Sequence, residues 1–403
     1  MDLINVVDGL TADGPGRVEL KPERCLTSLD RFSECTACVN ACPTQALQAA
    51  KPPVLDIGQC VGCLACLPAC PVDAFEAHDA VASLLSCAAR VAPRPVDLLC
   101  EVHPDPKAAK DGSDLGMLLR GCLAGLGAGA YLGLAALGIE RVQVRMDACA
   151  SCSLGDLQGE IAAQVNTAGE FLAAWGRPDM LEEVHSLPLE DRHNRPVWWA
   201  ENPPISRRDL LRMTFMQGQS GEGRELAAEE PLSGKQPPRD RRRFLRAADS
   251  LQSNQPGRSA TALPMAASFG SLRIANNCDA CGACARVCPT GAVRYETQDD
   301  ARYRLLFNSQ ACMACGLCQA ACAPEAINIE RHLTLGEVFG EPTWKVLSQD
   351  ELVRCSRCGV LFPARQASKV CTLCQYREQN PFKKVLPPGV KARLEAVKKA
   401  RSA

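Results

Sequence analysis

Apolar and polar positions follow two different periods along residues 80–180, which predicts strands separated by helices. Three short apolar runs bounded by turn residues predict strands at Pro95–Cys100, Gly116–Gly121 and Ile139–Met146. Longer apolar stretches, mostly Ala-rich, predict helices at Val81–Val91, Ala128–Leu137 and Asp156–Trp175. Strands that alternate with helices indicate a small parallel α/β domain, with bounds at residues 78–182.

The other segments separate by composition, which predicts an α+β multidomain chain. Residues 20–77 and 269–335 are dense in cysteine, and a last cysteine group lies within 350–380. Residues 183–268 are rich in Pro, Gln, Ser, Arg and Glu, which predicts a linker. Residues 381–403 are basic and predict a solvated terminal helix, with docking to an acidic partner as the alternative.

Cysteine dominates the composition: 25 of 403 residues are Cys and only 4% are aromatic. Ordinary apolar cores are therefore small, and metal ligation is the expected source of stability. The net charge of −1 gives no reason to expect a nucleic-acid partner. Met1–Cys25 has neither a basic start nor an apolar run, so we expect a reduced, cytoplasmic chain. The uncharged stretch Gly121–Ile139 is rich in Gly, which favours a buried helix over a transmembrane segment.

Four copies of one cysteine unit lie in the two cysteine-dense segments. Three follow the bacterial spacing C-x2-C-x2-C-x3-C, namely Cys278, Cys281, Cys284 and Cys288; Cys312, Cys315, Cys318 and Cys322; and Cys60, Cys63, Cys66 and Cys70. The remaining copy has Cys35, Cys38 and Cys42, but Phe32 stands where its first cysteine is expected. Either Cys25 completes that cluster from upstream, which we favour, or three cysteines hold a 3Fe-4S centre.

The fourth cysteine of each unit begins a segment that points away from its own loop, so it is expected to serve the neighbouring cluster. The predicted ligand sets are Cys278, Cys281, Cys284 and Cys322; Cys312, Cys315, Cys318 and Cys288; Cys60, Cys63, Cys66 and Cys42; and Cys25, Cys35, Cys38 and Cys70. Zinc knuckles use paired ligands and leave the third and fourth cysteines unexplained. Four 4Fe-4S clusters are therefore predicted.

Both cysteine-dense segments resemble two-cluster bacterial ferredoxins over about 120 residues in total, which implies two ferredoxin-like dicluster modules and electron transfer. A looser resemblance, carried by the internal motif Ser206-Arg207-Arg208-Asp209-Leu210-Leu211, connects the chain to ferredoxin-type accessory proteins of molybdenum reductases. The segment 78–182 is loosely similar to small iron-sulfur subunits that link hydrogenases or formate dehydrogenases to heterodisulfide reductase.

Four cysteines lie at or just after the ends of the predicted strands: Cys100, Cys122, Cys149 and Cys152. Carboxyl ends of parallel strands meet at one edge, so these thiols are expected to converge on a fifth cluster, 4Fe-4S or 2Fe-2S. Buried reduced cysteines are the alternative, and Cys87 is expected in the core. A second alternative is nicotinamide-dinucleotide binding through Gly127, Gly129 and Gly133, with Asp147 after the next strand.

The last cysteine group has two C-x2-C pairs, which predict a zinc-ribbon-like knuckle with one closed metal site. Its ligands are Cys355, Cys358, Cys371 and Cys374, and rubredoxin-like iron is the alternative metal.

No catalytic set of side chains stands out, so the sequence favours a polyferredoxin subunit without a catalytic site of its own. We expect it to relay electrons between a low-potential donor and a molybdenum reductase, formate dehydrogenase or hydrogenase. The alternatives are a cytoplasmic accessory protein for cluster loading, or a subunit of an NAD- or flavin-linked oxidoreductase.

Overall fold

The structure is a computed structural model that describes residues 18–30, 33–78, 80–110, 112–188, 193–204, 235–253, 268–299, 301–339, 344–366 and 368–380. The chain divides into two compact units. The first comprises residues 1–22, 36–231 and 238–264, and the second comprises 23–35, 232–237 and 265–403. Two predicted features, the motif at 206–211 and the basic tail at 381–403, lie outside the described residues.

Strands and helices alternate through both units. In chain order the strands are β1 Glu19–Leu20, β2 Leu47–Gln48, β3 Val54–Leu55, β4 Phe75–Glu76, β5 Val96–Cys100, β6 Ala108–Ala109, β7 Leu115–Leu119, β8 Val142–Arg145, β9 Leu181–Val184, β10 His193–Asn194, β11 Val197–Trp199, β12 Ser271–Ile274, β13 Val293–Gln298, β14 Arg302–Phe307, β15 Ile327–Glu330, β16 Lys345–Arg354 and β17 Leu361–Pro363. The α-helices are α1 Leu26–Leu29, α2 Ala37–Asn40, α3 Cys66–Ala69, α4 Ala80–Val91, α5 Ala128–Ala136, α6 Gln158–Ala174, α7 Arg239–Ser253, α8 Ala283–Val287, α9 Leu317–Ala320, α10 Leu335–Val338 and α11 Thr372–Gln379.

A parallel five-stranded sheet forms the centre of the first unit, in the order β11-β7-β5-β8-β9. Its strands β5, β7 and β8 are buried along nearly their whole length, because helices cover a parallel sheet. They coincide with the three predicted strands to within a few residues, and α4, α5 and α6 with the three predicted helices. Cys87 is fully buried in α4, as predicted.

The segment 183–268 contains more structure than the predicted linker. Strand β11 extends the parallel sheet, and α7 packs on α5. The apolar face of α7 consists of Phe244, Ala247, Ala248 and Leu251, all buried. These positions have helical spacing, but the many Arg residues of α7 hide it in the composition.

The contact between α5 and α7 requires glycine on α5. A Cβ atom placed on Gly129 would lie 2.4 Å from the carbonyl oxygen of Asp240 and 3.0 Å from the backbone nitrogen of Phe244. Both partners are backbone atoms, so neither can move without displacing α7. Glycine weakens a helix, yet here it permits close packing.

Replacing Gly129 with Ala is expected to lower the free energy of unfolding by roughly 1–3 kcal/mol, because the interface becomes overpacked. Gly159→Ala in α6 is the matched control, since no atom lies within 4 Å of its added Cβ. The measurement is thermal unfolding followed by circular dichroism. Equal midpoints for the two variants would contradict this account of the interface.

The second unit is built on antiparallel pairing. Strands β13, β14, β16 and β17 form one sheet, and β12 pairs with β15. Its core combines cysteines with Leu272, Tyr303, Leu305 and Phe307. Because β16 pairs with β14 at one end and β17 at the other, it joins the cysteine loops to the last cysteine group.

Among the residues described, no helix combines the length and the apolar character needed to cross a membrane. The stretch predicted as a buried helix, Gly121–Ile139, contains α5, whose residues are all buried except the last, Ala136.

Candidate iron-sulfur and metal centres

Left-handed backbone positions recur within three of the four cysteine loops. The second and fourth residues after the first cysteine have positive φ in each: Gly62 and Leu64, Ala280 and Gly282, and Ala314 and Gly316. Three residues after the fourth cysteine of a unit, φ is again positive, at Gln45, Asp73, Gly291 and Glu325. Alternating backbone handedness turns successive N–H groups toward one point, which makes a concave site for anions such as thiolate-bound clusters.

The copy that lacks its first cysteine also differs in conformation. Glu34 and Thr36 stand where the other copies have left-handed positions, but neither has positive φ, and φ of Thr36 is −124°. Helix α2 after them has counterparts in α3, α8 and α9. Cys25 is buried and precedes α1, and its sulfur lies 3.1 Å from the hydroxyl of Thr27. Cys25 and Cys35 belong to the second unit, whereas Cys38 and Cys70 belong to the first. This predicted ligand set therefore remains a prediction.

One cavity of the second unit is lined by four cysteines from two loops: Cys278, Cys281, Cys284 and Cys322. Three come from one loop, and the fourth follows the third cysteine of the other loop, Cys318, by four residues. The backbone N–H of Ala326 donates to Cys322 Sγ at 3.2 Å. Cys281 is exposed, while Cys284 is buried.

A cavity of the first unit has the corresponding lining: Cys42, Cys60, Cys63 and Cys66. Here too three thiols come from one cysteine loop, and the fourth, Cys42, comes from the other cysteine loop of the same segment. Both cavities thus bring together the sets of cysteines that the spacing predicts.

The pKa of Cys318 bears on a third predicted ligand set, which consists of Cys312, Cys315, Cys318 and Cys288. The pKa of Cys284 bears on the cavity already described. Burial, followed by the nearby thiolates of Cys312 and Cys288, raises the pKa of Cys318. Burial and then Cys278 and Cys281 raise the pKa of Cys284 to about 12. Crowded thiolates disfavour one another unless a cation lies between them, so the arrangement fits bound iron.

The four thiols of the parallel sheet lie at or just after the carboxyl ends of neighbouring strands. Cys100 ends β5, Cys122 follows β7, and Cys149 and Cys152 follow β8. Burial, and then Cys100 and Cys152, raises the pKa of Cys149 to about 11. Backbone N–H groups donate to two of the sulfurs: Ala124 to Cys122 at 3.5 Å and Leu154 to Cys152 at 3.4 Å. N–H donors aimed at sulfur are the usual surroundings of a cluster ligand.

Buried charges support this edge of the sheet, and the sequence analysis did not identify them. Arg145 is fully buried; its Nη1 donates to Asp97 at 3.2 Å, and its Nε donates to Asp147 at 2.7 Å. Arg195 pairs with the same Asp97, and His103 lies 3.3 Å from Asp147. Burial alone would raise the pKa of Asp147, but hydrogen bonds from His103 and Arg145 hold it well below its usual range. The network fixes the strand ends from which Cys100 and Cys149 extend.

The glycines that suggested dinucleotide binding have other partners. The Asp240 carboxylate accepts a hydrogen bond from the Gly129 N–H at 3.0 Å, and it lies 2.4 Å from the Cβ position of Gly127. Gly133 packs against Leu85. Asp147 bonds Arg145 instead of facing open space. The start of α5, where a pyrophosphate would bind, is occupied by a carboxylate of the same chain.

The last cysteine group forms a compact knuckle, here defined as residues 355–374. The sulfurs of Cys355, Cys358, Cys371 and Cys374 all lie within 4.8 Å of one another. The Cys371 N–H donates to Cys355 Sγ at 3.3 Å, and this bond leads the causes that lower the pKa of Cys355 to about 6. Four converging thiols at this spacing suit a single tetrahedral ion.

Two stretches of the chain, residues 32–74 and 277–326, match the 4Fe-4S dicluster domain family. The chain carries two ferredoxin-type 4Fe-4S domains. The matches lie within the two cysteine-dense segments and include every cysteine of the four predicted 4Fe-4S ligand sets except Cys25. They cover neither the parallel sheet nor the knuckle. No curated protein matches the chain. The dicluster domains confirm the predicted ferredoxin resemblance and support the prediction that the chain binds 4Fe-4S clusters.

Proposed function

We propose that this protein is an electron-transfer subunit that relays single electrons between a low-potential donor and a catalytic redox partner. The observation that carries the proposal is the pair of dicluster domains, whose cysteine-lined cavities draw thiols from both halves of each domain. Two clusters held so closely in one domain serve electron transfer well and provide no substrate site.

The proposed ligands of four 4Fe-4S clusters are the predicted sets. They are Cys278, Cys281, Cys284 and Cys322; Cys312, Cys315, Cys318 and Cys288; Cys60, Cys63, Cys66 and Cys42; and Cys25, Cys35, Cys38 and Cys70. The cavity linings support the first and third sets. The electrostatic effect of Cys288 on both Cys315 and Cys318 supports the second.

A fifth cluster on Cys100, Cys122, Cys149 and Cys152 would extend the relay. The loop that carries Cys63 packs on the loop that carries Cys122: a Cβ on Gly125 would lie 2.8 Å from Leu64 Cβ and 3.7 Å from the Cys63 carbonyl oxygen. Cys63 is also among the charges that raise the pKa of Cys122 to about 12, after burial. These contacts support direct transfer between the two centres.

The knuckle ligands Cys355, Cys358, Cys371 and Cys374 hold one zinc ion in this proposal, with iron as the alternative. Zinc has no redox chemistry, so its role there is structural. The partner class is a molybdenum reductase, formate dehydrogenase or hydrogenase. None of the 25 cysteines forms a disulfide, which supports work in the reducing cytoplasm.

The relay is tested by restoring electron flow to a partner enzyme. The native complex is purified through this chain, the chain is stripped away, and flux from a reduced low-potential dye is measured before and after the protein is added back. We expect added protein to restore flux, and Cys66→Ser and Cys284→Ser to abolish the restoration. Cys87→Ala is the matched control, because this buried thiol lies in α4 and belongs to no proposed ligand set.

An accessory protein that loads clusters would behave differently. Mature partner would then be fully active without the chain, and addition would change nothing. That outcome would contradict the relay and favour the accessory role.

A further inference from the structure

The metal-binding knuckle contacts the loop of one cluster, Cys278 to Cys284, through two side chains. Arg365 donates from Nε to the Asn276 carbonyl oxygen at 3.3 Å and from Nη2 to the Cys278 carbonyl oxygen at 3.2 Å. The Thr372 hydroxyl, next to the knuckle ligand Cys371, donates to the Asp279 carboxylate. The knuckle therefore contacts the loop at Cys278, at Asn276 before it and at the side chain of Asp279 after it.

Contacts on its other side orient Arg365 toward this loop. Its backbone N–H donates to the Asp350 carboxylate at 3.1 Å, and Nη1 reaches the same oxygen at 3.4 Å. The guanidinium lies 5.9 Å from the ring centre of Tyr303, which itself lines the cysteine cavity. Nε and Nη2 remain directed at the carbonyls beside Cys278.

We propose that Arg365 is a positioning residue that raises the reduction potential of the cluster at Cys278, Cys281, Cys284 and Cys322, and that metal in the knuckle holds it there. The inference rests on the proposed ligand set. A reduced cluster carries one more negative charge than an oxidised one, so a fixed cation nearby favours the reduced form.

Metal in the knuckle affects Arg365 because this residue lies in the segment between the two cysteine pairs. Arg365 lies between the two cysteine pairs, ten residues after Cys355 and six before Cys371 by number. The bound ion would join both pairs and thereby fix the segment between them. Without the ion, the hydrogen bonds to the Asn276 and Cys278 carbonyls lose their anchor, and the loop gains exposure at Cys281, which is already exposed.

The test is potentiometry of the full-length protein followed by electron paramagnetic resonance, with the relevant signal identified as the one that Cys281→Ser removes. We expect Arg365→Gln to shift the reduction equilibrium of this cluster about tenfold toward the oxidised form, or about 59 mV for one electron. Arg365→Lys should recover part of the shift, because it restores the charge without the paired hydrogen bonds.

Arg357→Gln is the matched control. Arg357 lies on the same knuckle but pairs with Glu378 and is exposed, so its loss removes an equal charge without touching the loop. Cys374→Ser, which breaks the metal site, should reproduce the shift of Arg365→Gln while iron content stays constant.

Equal shifts in the Arg357 and Arg365 variants would reduce the effect to general surface charge and overturn the proposal, as would no shift in either. A measurement of iron content distinguishes a failure of the Arg365 proposal from a failure of the proposed electron-transfer function. An unaltered protein without the Cys281-dependent signal would refute the ligand set itself.

Discussion

Cys288→Ser is expected to destroy the cluster bound by Cys312, Cys315 and Cys318 and to spare the cluster bound by the cysteines that precede it in sequence. The reason is geometric: the cavity of the Cys278 loop receives its fourth thiol from Cys322, and the charge of Cys288 acts on Cys315 and Cys318. A missing ligand exposes one iron of the distant cube, which then degrades.

The measurement is iron content with electron paramagnetic resonance of the reduced protein. About four irons per chain should be lost, the content of one 4Fe-4S cluster. Cys322→Ser is the reciprocal variant and should remove the other cluster of the same domain. Loss of the Cys278 signal from Cys288→Ser would show that each loop binds its own cluster with all four of its thiols.

Changing Cys149 and Cys152 together to Ser is expected to remove the proposed fifth cluster and to interrupt the proposed electron flow at the parallel sheet. Both thiols follow the carboxyl end of β8. With Cys100 and Cys122 they are the only ligands proposed at the parallel sheet. Loss of about four irons would identify a 4Fe-4S cluster, and loss of about two a 2Fe-2S cluster.

The other four clusters serve as the internal control for this double variant, since their signals should persist. Unchanged iron content would assign the four thiols to ordinary buried cysteine. The raised pKa values of Cys100, Cys122 and Cys149 would then follow chiefly from burial, which is the largest cause for each.

Local spacing explains why the sequence predicted the cysteine loops so well. A cube of iron and sulfur sets the distance between its ligands, and three cysteines at C-x2-C-x2-C satisfy that distance within a single loop. The strands of the parallel sheet were equally evident, because strands buried on both faces are continuous apolar runs.

Features that depend on distant pairs were not predictable in the same way. The partnership of Asp97 with Arg145 and Arg195 spans 48 and 98 residues, and no spacing rule connects them. The contact of Arg365 with Cys278 is equally remote. The helix α7 was missed for a different reason: its apolar stripe was present, but its arginines suggested a solvated linker.

The position of α7 in the chain has a consequence for synthesis. Asp240 completes a contact with Gly129 across 111 residues, and Arg239 binds Asp73 across 166. At about 5–20 residues per second, the ribosome needs roughly 6 to 22 seconds between the first pair and roughly 8 to 33 seconds between the second. Throughout those intervals the loop after Cys70 lacks its Arg239 clamp, and the start of α5 is uncapped. The contacts around Asp73 and Gly129 are therefore completed only after α7 has been synthesised.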